Sequence, residues 1–188
     1  MVDITIVIIG KNEEKVLKKT IDSLKNIKTK KIIYVNTVGT DNSLNILKKY
    51  KSLKVINLFA SNYLHTASLA RNIGAKLVKT KYIQFLDADC QLNPKWLRIA
   101  KKELQHKSVA AVVGYKREFP DFNSKRFIFK GKIGQNEKLD YLGGNFLIKT
   151  KLYKKAGQFD PNLNIEEERD LYFQTFTLKK LNFMKLKK

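Results

Sequence analysis

The sequence predicts an α/β protein in which a mainly parallel central sheet carries helices on both faces, a Rossmann-type sandwich. Apolar runs rich in β-branched residues recur along the first half of the chain, and the clearest covers residues 4–9. The run at residues 4–9 lacks the polar alternation of a half-exposed strand, so it predicts a strand buried on both faces. Segments with apolar residues at helical spacing separate the apolar runs, and such strand–helix repeats form right-handed crossovers between parallel strands.

The first half should contain four strands joined by three helices. The strands are predicted at residues 4–9, 32–35, 54–58 and 82–86. The helices are predicted at residues 13–27, 44–50 and 68–78. Gly10 ends the first strand, and Asp41 or Asn42 is available to cap the second helix. In a sheet built this way, ligands bind beyond the carboxyl ends of the strands.

The second half breaks this rhythm and reads as irregular. Helices are expected from Pro94 to about residue 105, at 151–156 and from 165 to about 181. A short strand is expected at 109–113 and another, entered through two glycines, in "YLGGNFLIK". Residues 114–140 suggest a hairpin or a mobile loop. With no linker or repeat in sight, residues 1–188 are predicted to form a single domain.

The charge of the chain is strongly positive, with 38 Lys and Arg residues against 17 Asp and Glu residues, a formal net charge of +21. Two interpretations stay open: a lysine-rich solvated surface, or attraction to polyanions such as nucleic acid, anionic lipid or a phosphorylated substrate. No nucleic-acid-binding motif supports the nucleic-acid option, so none is expected as a partner. The terminal "LKKLNFMKLKK" is either a frayed tail or a short basic amphipathic segment at an anionic membrane surface.

Features of secretion and membrane insertion are absent from the sequence. Cys90 is the single cysteine, which excludes an intrachain disulfide. The first apolar run has the wrong length and flanks for a signal peptide, and no run approaches the roughly 20 apolar residues of a membrane span. We therefore expect a cytoplasmic protein that is soluble or peripherally attached at the inner face of the membrane.

Asp87 and Asp89 close the fourth predicted strand, in "FLDADC". Side chains two apart on a strand point the same way, so both carboxylates should leave the sheet at one place. Two close carboxylates resist ionising together unless a cation accompanies them, and Mg²⁺ or Mn²⁺ takes carboxylates together with substrate phosphates. The alternative is one aspartate that caps the following helix and one surface aspartate.

Four motifs in order resemble the family 2 glycosyltransferases: "IVIIGKNEE", "YVNTVGTDNS", "ASLARNIGAKLVKTKYIQFLDADC" and "GGNFLIKTKLYKKAGQFDPNL" followed by "EEERDL". The resemblance covers residues 4 to about 175. It implies the GT-A fold, a nucleotide-sugar donor and transfer with inversion at the anomeric carbon. It also implies a nucleotide-binding half at residues 1–90 and an acceptor-side half at residues 91–188.

The resemblance assigns the donor-binding residues. Gly10, Asn12 and Glu13 would hold the base and ribose, although locally Asn12 and Glu13 are also a helix cap and a first-turn acid. Arg71 would hold nucleotide or phosphate, with a helix-surface arginine as the alternative. The family usually places an aspartate where this chain has Asn36, an uncharged residue that can still accept a hydrogen bond from the base.

The remaining roles follow from the same resemblance. Asp89, with Asp87 nearby, would hold Mn²⁺ or Mg²⁺ at the donor diphosphate. Gly144 and Asn145 would close the sugar pocket, where two glycines before a strand can also be a plain bulge.

The general base would be Glu168, at the place of an aspartate in the family pattern. Glu167 is the alternative if the register is off by one, since Glu166, Glu167 and Glu168 are consecutive. The three acids could instead be the solvated first turn of a helix.

The expected function is transfer of a sugar from a nucleotide-sugar donor, a UDP-sugar, to a glycan or lipid-linked acceptor in polysaccharide biosynthesis. The alternative is a nucleotide- or glycan-binding module with the same fold that is truncated or catalytically impaired. Asn36 and the short C-terminal part favour that alternative.

Overall fold

The computed structural model describes residues 3–37, 39–58, 66–114, 137–139, 143–163, 165–179 and 182–185. Within them the strands are β1 (Ile4–Gly10), β2 (Lys31–Asn36), β3 (Leu53–Asn57), β4 (Tyr82–Asp87), β5 (Val109–Val113), β6 (Glu137–Leu139), β7 (Phe146–Lys149) and β8 (Asn182–Lys185). The helices are α1 (Glu14–Leu24), α2 (Ser43–Lys48), α3 (Ala67–Lys76), α4 (Trp96–Glu103), α5 (Thr150–Lys155) and α6 (Glu167–Lys179).

All eight strands join one sheet in the order β3-β2-β1-β4-β7-β5-β8-β6. The four strands of the first half are mutually parallel, as predicted. β7 runs antiparallel to both of its neighbours, β4 and β5, and β6 runs antiparallel to β8. The carboxyl ends of β1, β2 and β4 therefore lie at the same edge, where the predicted site residues cluster.

Each face of the sheet has its own hydrophobic core. Ile4, Ile6 and Ile8 of β1 enter one core, while Val7 and Ile9 enter the other. The first core is completed by α1, α2 and α4, and the second by α3, α5 and α6. This arrangement confirms the predicted α/β sandwich, and it explains why β1 reads as a continuous apolar run: both of its faces are buried.

The second core contains an aromatic cluster that supports the candidate site. Phe85 of β4 lies 5.2 Å from both Phe146 and Tyr153, and 5.7 Å from Phe159, measured between ring centroids. Phe159 belongs to the turn that leads towards α6. The cluster thus ties the strand that ends in Asp87 to the segment that precedes the consecutive glutamates.

The second half differs from the prediction in two respects. It is not irregular, because β5, β7 and β8 extend the same sheet. The final helix ends at Lys179, and Asn182–Lys185 pairs with both β5 and β6. This part of the terminal segment is therefore a sheet strand and not a frayed tail. Most of the predicted hairpin or loop at 114–140 lies outside the described residues.

No helix in the described part of the chain combines the length and apolar character that crossing a membrane requires.

Candidate functional site

A cleft of about 380 Å³ opens at the carboxyl ends of β1 and β4. Five of the predicted site residues line it: Gly10, Glu13, Arg71, Asp87 and Asp89. Gly10 and Asp87 are the last residues of β1 and β4, and Ala88 N–H continues the pairing by donating to the Ile9 carbonyl at 2.8 Å. The cleft lies where a parallel sheet offers a ligand site.

Polar contacts join the turn after β1 to the loop after β2. Asn12 adopts a left-handed conformation with φ 58°, and its side-chain oxygen accepts from the Thr40 N–H at 2.8 Å. The Glu13 N–H donates to Ser43 Oγ at 3.1 Å, and the Glu14 N–H to Asp41 Oδ2 at 2.8 Å. The predicted cap is therefore wrong: Asn12 does not cap α1, whose N-cap position is Glu13, and the side chains of Asp41 and Ser43 accept from the amides there instead.

Asp87 is held from two sides by Asn145. The Asp87 N–H donates to Asn145 Oδ1 at 2.8 Å, and Asn145 Nδ2 donates to Asp87 Oδ2 at 2.9 Å. Asn145 is fully buried just before β7, the strand that pairs with β4. The amide thereby orients a carboxylate whose side chain is 31% exposed and faces the cleft.

Arg71 links this carboxylate to the consecutive glutamates. Its Nη2 donates to Asp87 Oδ1 at 3.0 Å, and its Nη1 donates to Glu167 Oε1 at 2.9 Å. Glu168 Oε1 lies 3.8 Å from the same Nη1. Arg71 is 4% exposed, and its guanidinium carbon stands 5.4 Å from the centre of the Phe159 ring. The cation is thus buried among three carboxylates and fixed in place.

Glu167 and Glu168 are both buried at the start of α6, whereas Glu166 is exposed. Neither lines the cleft, but Arg71 connects them to it. Burial raises the pKa of the Glu168 carboxyl, and the neighbouring Glu167 and Asp87 raise it further against the opposing effect of Arg71. A carboxyl with a raised pKa accepts a proton more readily near neutral pH.

Gly144 has to be glycine for the site to close. Its φ of 74° lies in the left-handed region, and a Cβ there would come within 2.6 Å of Asp87 Oδ2 and 2.7 Å of Arg71 Nη2. Both distances are below 3.0 Å, which is closer than a Cβ atom approaches another heavy atom in folded proteins. The paired glycines are therefore not a plain bulge, since the backbone must approach the ion pair closely.

Asp87, Asp89 and Cys90 place one possible ligand atom each within 4.8 Å of one another. The Cys90 thiol donates to Asp89 Oδ1 at 3.2 Å, and the described residues offer no partner to Asp89 Oδ2. Burial and the Asp89 carboxylate raise the pKa of Asp87, with Arg71 opposing them. A hard divalent cation prefers carboxylate oxygens to a thiol, so the two aspartates fit Mg²⁺ or Mn²⁺ and Cys90 supports Asp89.

The family model for glycosyl transferase family 2 matches residues 5–159. The chain belongs to the family 2 glycosyltransferases.

This family 2 glycosyltransferase is 28% identical over 174 residues to the poly(ribitol-phosphate) β-N-acetylglucosaminyltransferase TarP of Staphylococcus aureus, and the match covers 88% of the chain. Two solved structures share its fold at low identity. TarS 1–349 of S. aureus in complex with UDP-GlcNAc superposes with a TM-score of 0.75 at 16% identity, covering 98% of this chain and 58% of TarS. GalNAc-T7 with UDP, GalNAc and Mn²⁺ gives 0.75 at 19% identity, covering 97% and 42%.

The chain spans half of the length of TarP. Its GT-A fold is shown by the structural neighbours.

Two of the predicted donor-binding residues stand back from the cleft of this glycosyltransferase. Asn12 ties two loops together, as described above. Asn36 is 4% exposed, and its Nδ2 donates to Asn57 Oδ1 at the end of β3 at 2.9 Å. The next residue, Thr37, lines the cleft instead, and its hydroxyl donates to the Gly10 carbonyl at 3.1 Å. The base-binding role of Asn36 stays a prediction.

Lys11 lines the cleft although the sequence analysis did not select it. It is exposed and lies beside Gly10 in the turn after β1. A single lysine in so basic a chain carries no distinguishing signal. Its position could have predicted this contact, because Lys11 follows directly after a strand that ends at the ligand-binding edge of the sheet.

Proposed function

We propose that the chain transfers a sugar from a UDP-sugar to a glycan or lipid-linked acceptor. The observation that carries the proposal is the cleft at the carboxyl ends of β1 and β4, where Gly10, Glu13, Arg71, Asp87 and Asp89 meet. UDP as the nucleotide is supported by the neighbour TarS, whose structure contains UDP-GlcNAc.

Two sets of residues bind different parts of the nucleotide-sugar donor. Gly10 and Glu13 line the part of the cleft that takes the base and ribose, and Asn12 and Asn36 support it from behind the joined turns after β1 and β2. Lys11 supplies an exposed positive charge for the diphosphate from the same turn. Residues 1–90 thus form the donor side of a single domain, and residues 91–188 form most of the acceptor side.

The diphosphate and sugar are held by the second set. Asp89 and Asp87 would hold Mn²⁺ or Mg²⁺, which when bound supplies positive charge that stabilises the leaving diphosphate. Mn²⁺ is also present in the neighbour GalNAc-T7. Gly144 and Asn145 shape the sugar pocket by keeping Asp87 in position. Arg71 acts on the phosphates only indirectly, since Asp87 and Glu167 occupy its terminal nitrogens.

Glu168 is the general base in this mechanism. The acceptor hydroxyl forms a bond to the anomeric carbon as the bond from that carbon to the diphosphate oxygen breaks. The hydroxyl proton passes to Glu168, UDP leaves with the electron pair, and attack from the opposite face inverts the anomeric carbon. The raised pKa of Glu168 suits this role. Glu167 suits it less, because its carboxylate is bonded to Arg71 at 2.9 Å.

We propose that the transfer reaction belongs to polysaccharide biosynthesis. A net charge of +21 favours an anionic polymer or a lipid-linked glycan at an anionic surface, and TarP carries poly(ribitol-phosphate) in its name. We place the protein in the cytoplasm, with peripheral contact at the inner face of the membrane. Deleting the terminal segment would not test that contact, because Asn182–Lys185 is part of the sheet.

Membrane contact is tested with vesicles of phosphatidylglycerol and of phosphatidylcholine at low and moderate salt. We expect binding to the anionic vesicles alone and its weakening as salt rises, because the attraction is electrostatic. Equal binding to both lipids would count against the contact.

The catalytic proposal is tested by incubating the protein with a panel of nucleotide sugars and Mn²⁺ and measuring release of the nucleoside diphosphate. We expect slow release of UDP from one UDP-sugar without acceptor. Calorimetry should show tighter UDP binding with Mn²⁺ than without it. If UDP and metal bind but no donor is turned over with any acceptor, the protein is a nucleotide-binding module, which the uncharged Asn36 would favour.

A further inference from the structure

A second cleft, of about 670 Å³, lies at the edge of the sheet opposite the donor cleft. Its lining contains five lysines against one aspartate: Lys79, Lys81, Lys149, Lys151, Lys154 and Asp3. Asp3 precedes β1, Lys81 precedes β4, and Lys149 pairs with Tyr82 at the start of β4. We call it the lysine cleft.

The lysine cleft concentrates positive charge from two separate segments of the chain. The ammonium groups of Lys79 and Lys151 are exposed and meet no acceptor in the described residues. Lys154 Nζ donates to the Val78 carbonyl at 3.1 Å, and Lys149 Nζ to the Val109 carbonyl at 2.6 Å. These neutral carbonyls hold two of the side chains in place at the cleft wall. The result is a concave surface with a surplus of cations.

Thr150 adds a hydrogen-bond donor to this lining. The residue is 6% exposed, and its hydroxyl has no partner within the part of the chain that the structure describes. A buried hydroxyl without a partner costs free energy, which a hydrogen bond to an anionic ligand oxygen would recover. Its backbone N–H is already bonded to the Lys81 carbonyl at 3.0 Å, so the residue is fixed.

We propose that the lysine cleft binds the phosphate groups of a linear anionic polymer. A membrane surface is flat and fits a concave cleft poorly. A nucleic acid chain would use aromatic rings for stacking, and the lining contains none. A chain of phosphates, in contrast, needs only closely spaced point charges, which lysine ammonium groups provide.

The proposal rests on the proposed function in one respect: the polymer is the acceptor, whose non-reacting part is held here. The strands between the two clefts are about 20 Å long, since each residue of a strand advances about 3.3 Å. An acceptor has to extend over several repeat units to occupy both clefts. Binding at the lysine cleft should therefore favour long polymers over short ones.

The test compares two triple variants with equal loss of charge. Lys79→Gln, Lys81→Gln and Lys151→Gln together remove three exposed lysines of the cleft and leave Lys149 and Lys154, whose Nζ atoms are bonded to carbonyls. Lys49→Gln, Lys51→Gln and Lys54→Gln together remove exposed lysines at the β3 edge. All six residues are exposed, so both proteins should fold, as thermal melting would verify.

The probe is fluorescently labelled linear polyphosphate, measured against protein concentration at several salt concentrations. The cleft variant should bind it about 10- to 100-fold more weakly and with a shallower salt dependence, because fewer cations contact phosphate. The β3-edge variant should stay within about threefold of the parent protein. Equal losses in the two variants would reduce the effect to net charge and overturn the proposal, as would no loss in either.

Three further measurements separate the remaining outcomes. If the cleft variant loses binding to phosphatidylglycerol vesicles or to duplex DNA but still binds polyphosphate, the proposal is overturned in favour of those partners. UDP binding and UDP-sugar hydrolysis should be unchanged in both variants. The parent protein could hydrolyse no UDP-sugar while the cleft variant alone loses polyphosphate binding. In that case the lysine cleft is a polymer-binding site, and the assignment of the polymer as the acceptor is wrong.

Discussion

Arg71 is a buried cation whose terminal nitrogens reach carboxylates from distant parts of the chain, Asp87 on one side and Glu167 on the other. Burying a single charge costs several kcal/mol unless it is paired and hydrogen-bonded. Here the pairing also determines where Asp87 and the glutamates lie relative to each other. Single substitutions around Arg71 should therefore separate effects on stability from effects on ligand binding.

Asp87→Asn and Asp89→Asn should fail differently. In Asp87→Asn the amide nitrogen would face either Asn145 Nδ2 or Arg71 Nη2, so two donors would meet where a carboxylate oxygen now accepts. We expect a loss of about 1–3 kcal/mol in the free energy of unfolding, measured by chemical denaturation. Asp89→Asn should leave stability almost unchanged and weaken Mn²⁺-dependent UDP binding in calorimetry, because a hard anionic ligand is lost. The reverse pattern would contradict the metal assignment.

Gly144→Ala should destabilise the protein more than Gly157→Ala. Both glycines have positive φ, 74° and 102°, so alanine costs about 1–2 kcal/mol in backbone strain at each. Only at Gly144 would the new methyl group also collide with Asp87 and Arg71. Thermal melting measures the difference, and Gly144→Ala should additionally lose UDP binding in the presence of Mn²⁺. Equal melting temperatures in the two variants would disprove the close approach.

Glu168→Gln should gain relative stability as pH rises. Burial raises the pKa of Glu168, so the folded protein keeps this carboxyl protonated more readily than the unfolded chain does. The stability contributed by such a group is complete below its unfolded pKa and is lost as pH rises through its folded pKa.

Glutamine has no proton to lose, so the melting temperature of Glu168→Gln relative to the parent should increase as pH rises above about 4, the pKa of an unfolded glutamate. A difference that is constant with pH would contradict the raised pKa. Turnover should fall by about 10²- to 10⁴-fold while UDP affinity is retained. If Glu167→Gln shows that loss instead, the base is one residue earlier in the chain.

At the scale of elements, α3 holds the turn that leads to α6. Asn72 accepts from the Phe159 N–H and donates to the Phe159 carbonyl at 2.8 Å, and it also accepts from the Tyr153 hydroxyl. Thr66 and Ser68 donate to carbonyls of the same turn, those of Pro161 and Leu163. One helix therefore carries Arg71 and also positions the segment that brings the glutamates to it.

Asn72→Ala should disturb both stability and turnover. Three hydrogen bonds at a partly buried site are lost, which we expect to cost about 2–4 kcal/mol in the free energy of unfolding. Turnover should fall with little change in UDP affinity, because the turn before the glutamates moves while the donor cleft is retained. Asn45→Ala on α2, which removes exposed bonds to Asn42 and Lys48, is the control and should change stability by less than about 0.5 kcal/mol.

The elements of the first half could be predicted because β1 and β4 are buried on both faces and all four strands read as apolar runs. β8 could not, since Asn182–Lys185 is a short segment among lysines and pairs with strands far away in the chain. The antiparallel direction of β7 is likewise set by its neighbours β4 and β5. Local periodicity carries no information about such long-range pairing.

At the scale of the whole molecule, site residues at strand ends were predictable and their partners were not. Asp87 and Asp89 follow from the rule that ligands bind beyond the carboxyl ends of parallel strands. Asn145 is hydrogen-bonded to Asp87, 58 positions away in the sequence. Arg71 is hydrogen-bonded to Glu167, 96 positions away. These contacts exist only once the sheet has formed.

The net charge of +21 should make stability depend on salt. Self-repulsion destabilises the compact state, and salt screens it. The melting temperature at neutral pH should therefore rise between low salt and about 0.5 M NaCl. Near pH 9.9, the isoelectric point estimated from the sequence, the same salt series should have a smaller effect. A salt response that is equal at both pH values would argue against self-repulsion.

The position of β7 limits how chimaeras could be made by exchanging segments between this protein and its relatives. β7 follows β5 in the chain but lies between β4 and β5 in the sheet, and Asn145, which precedes β7, completes the surroundings of Asp87. A fragment ending before β7 would leave β4 with an open edge and Arg71 without Glu167. A chimaera that joins one donor cassette to another acceptor cassette must therefore carry Asn145 and the glutamates over with matching partners.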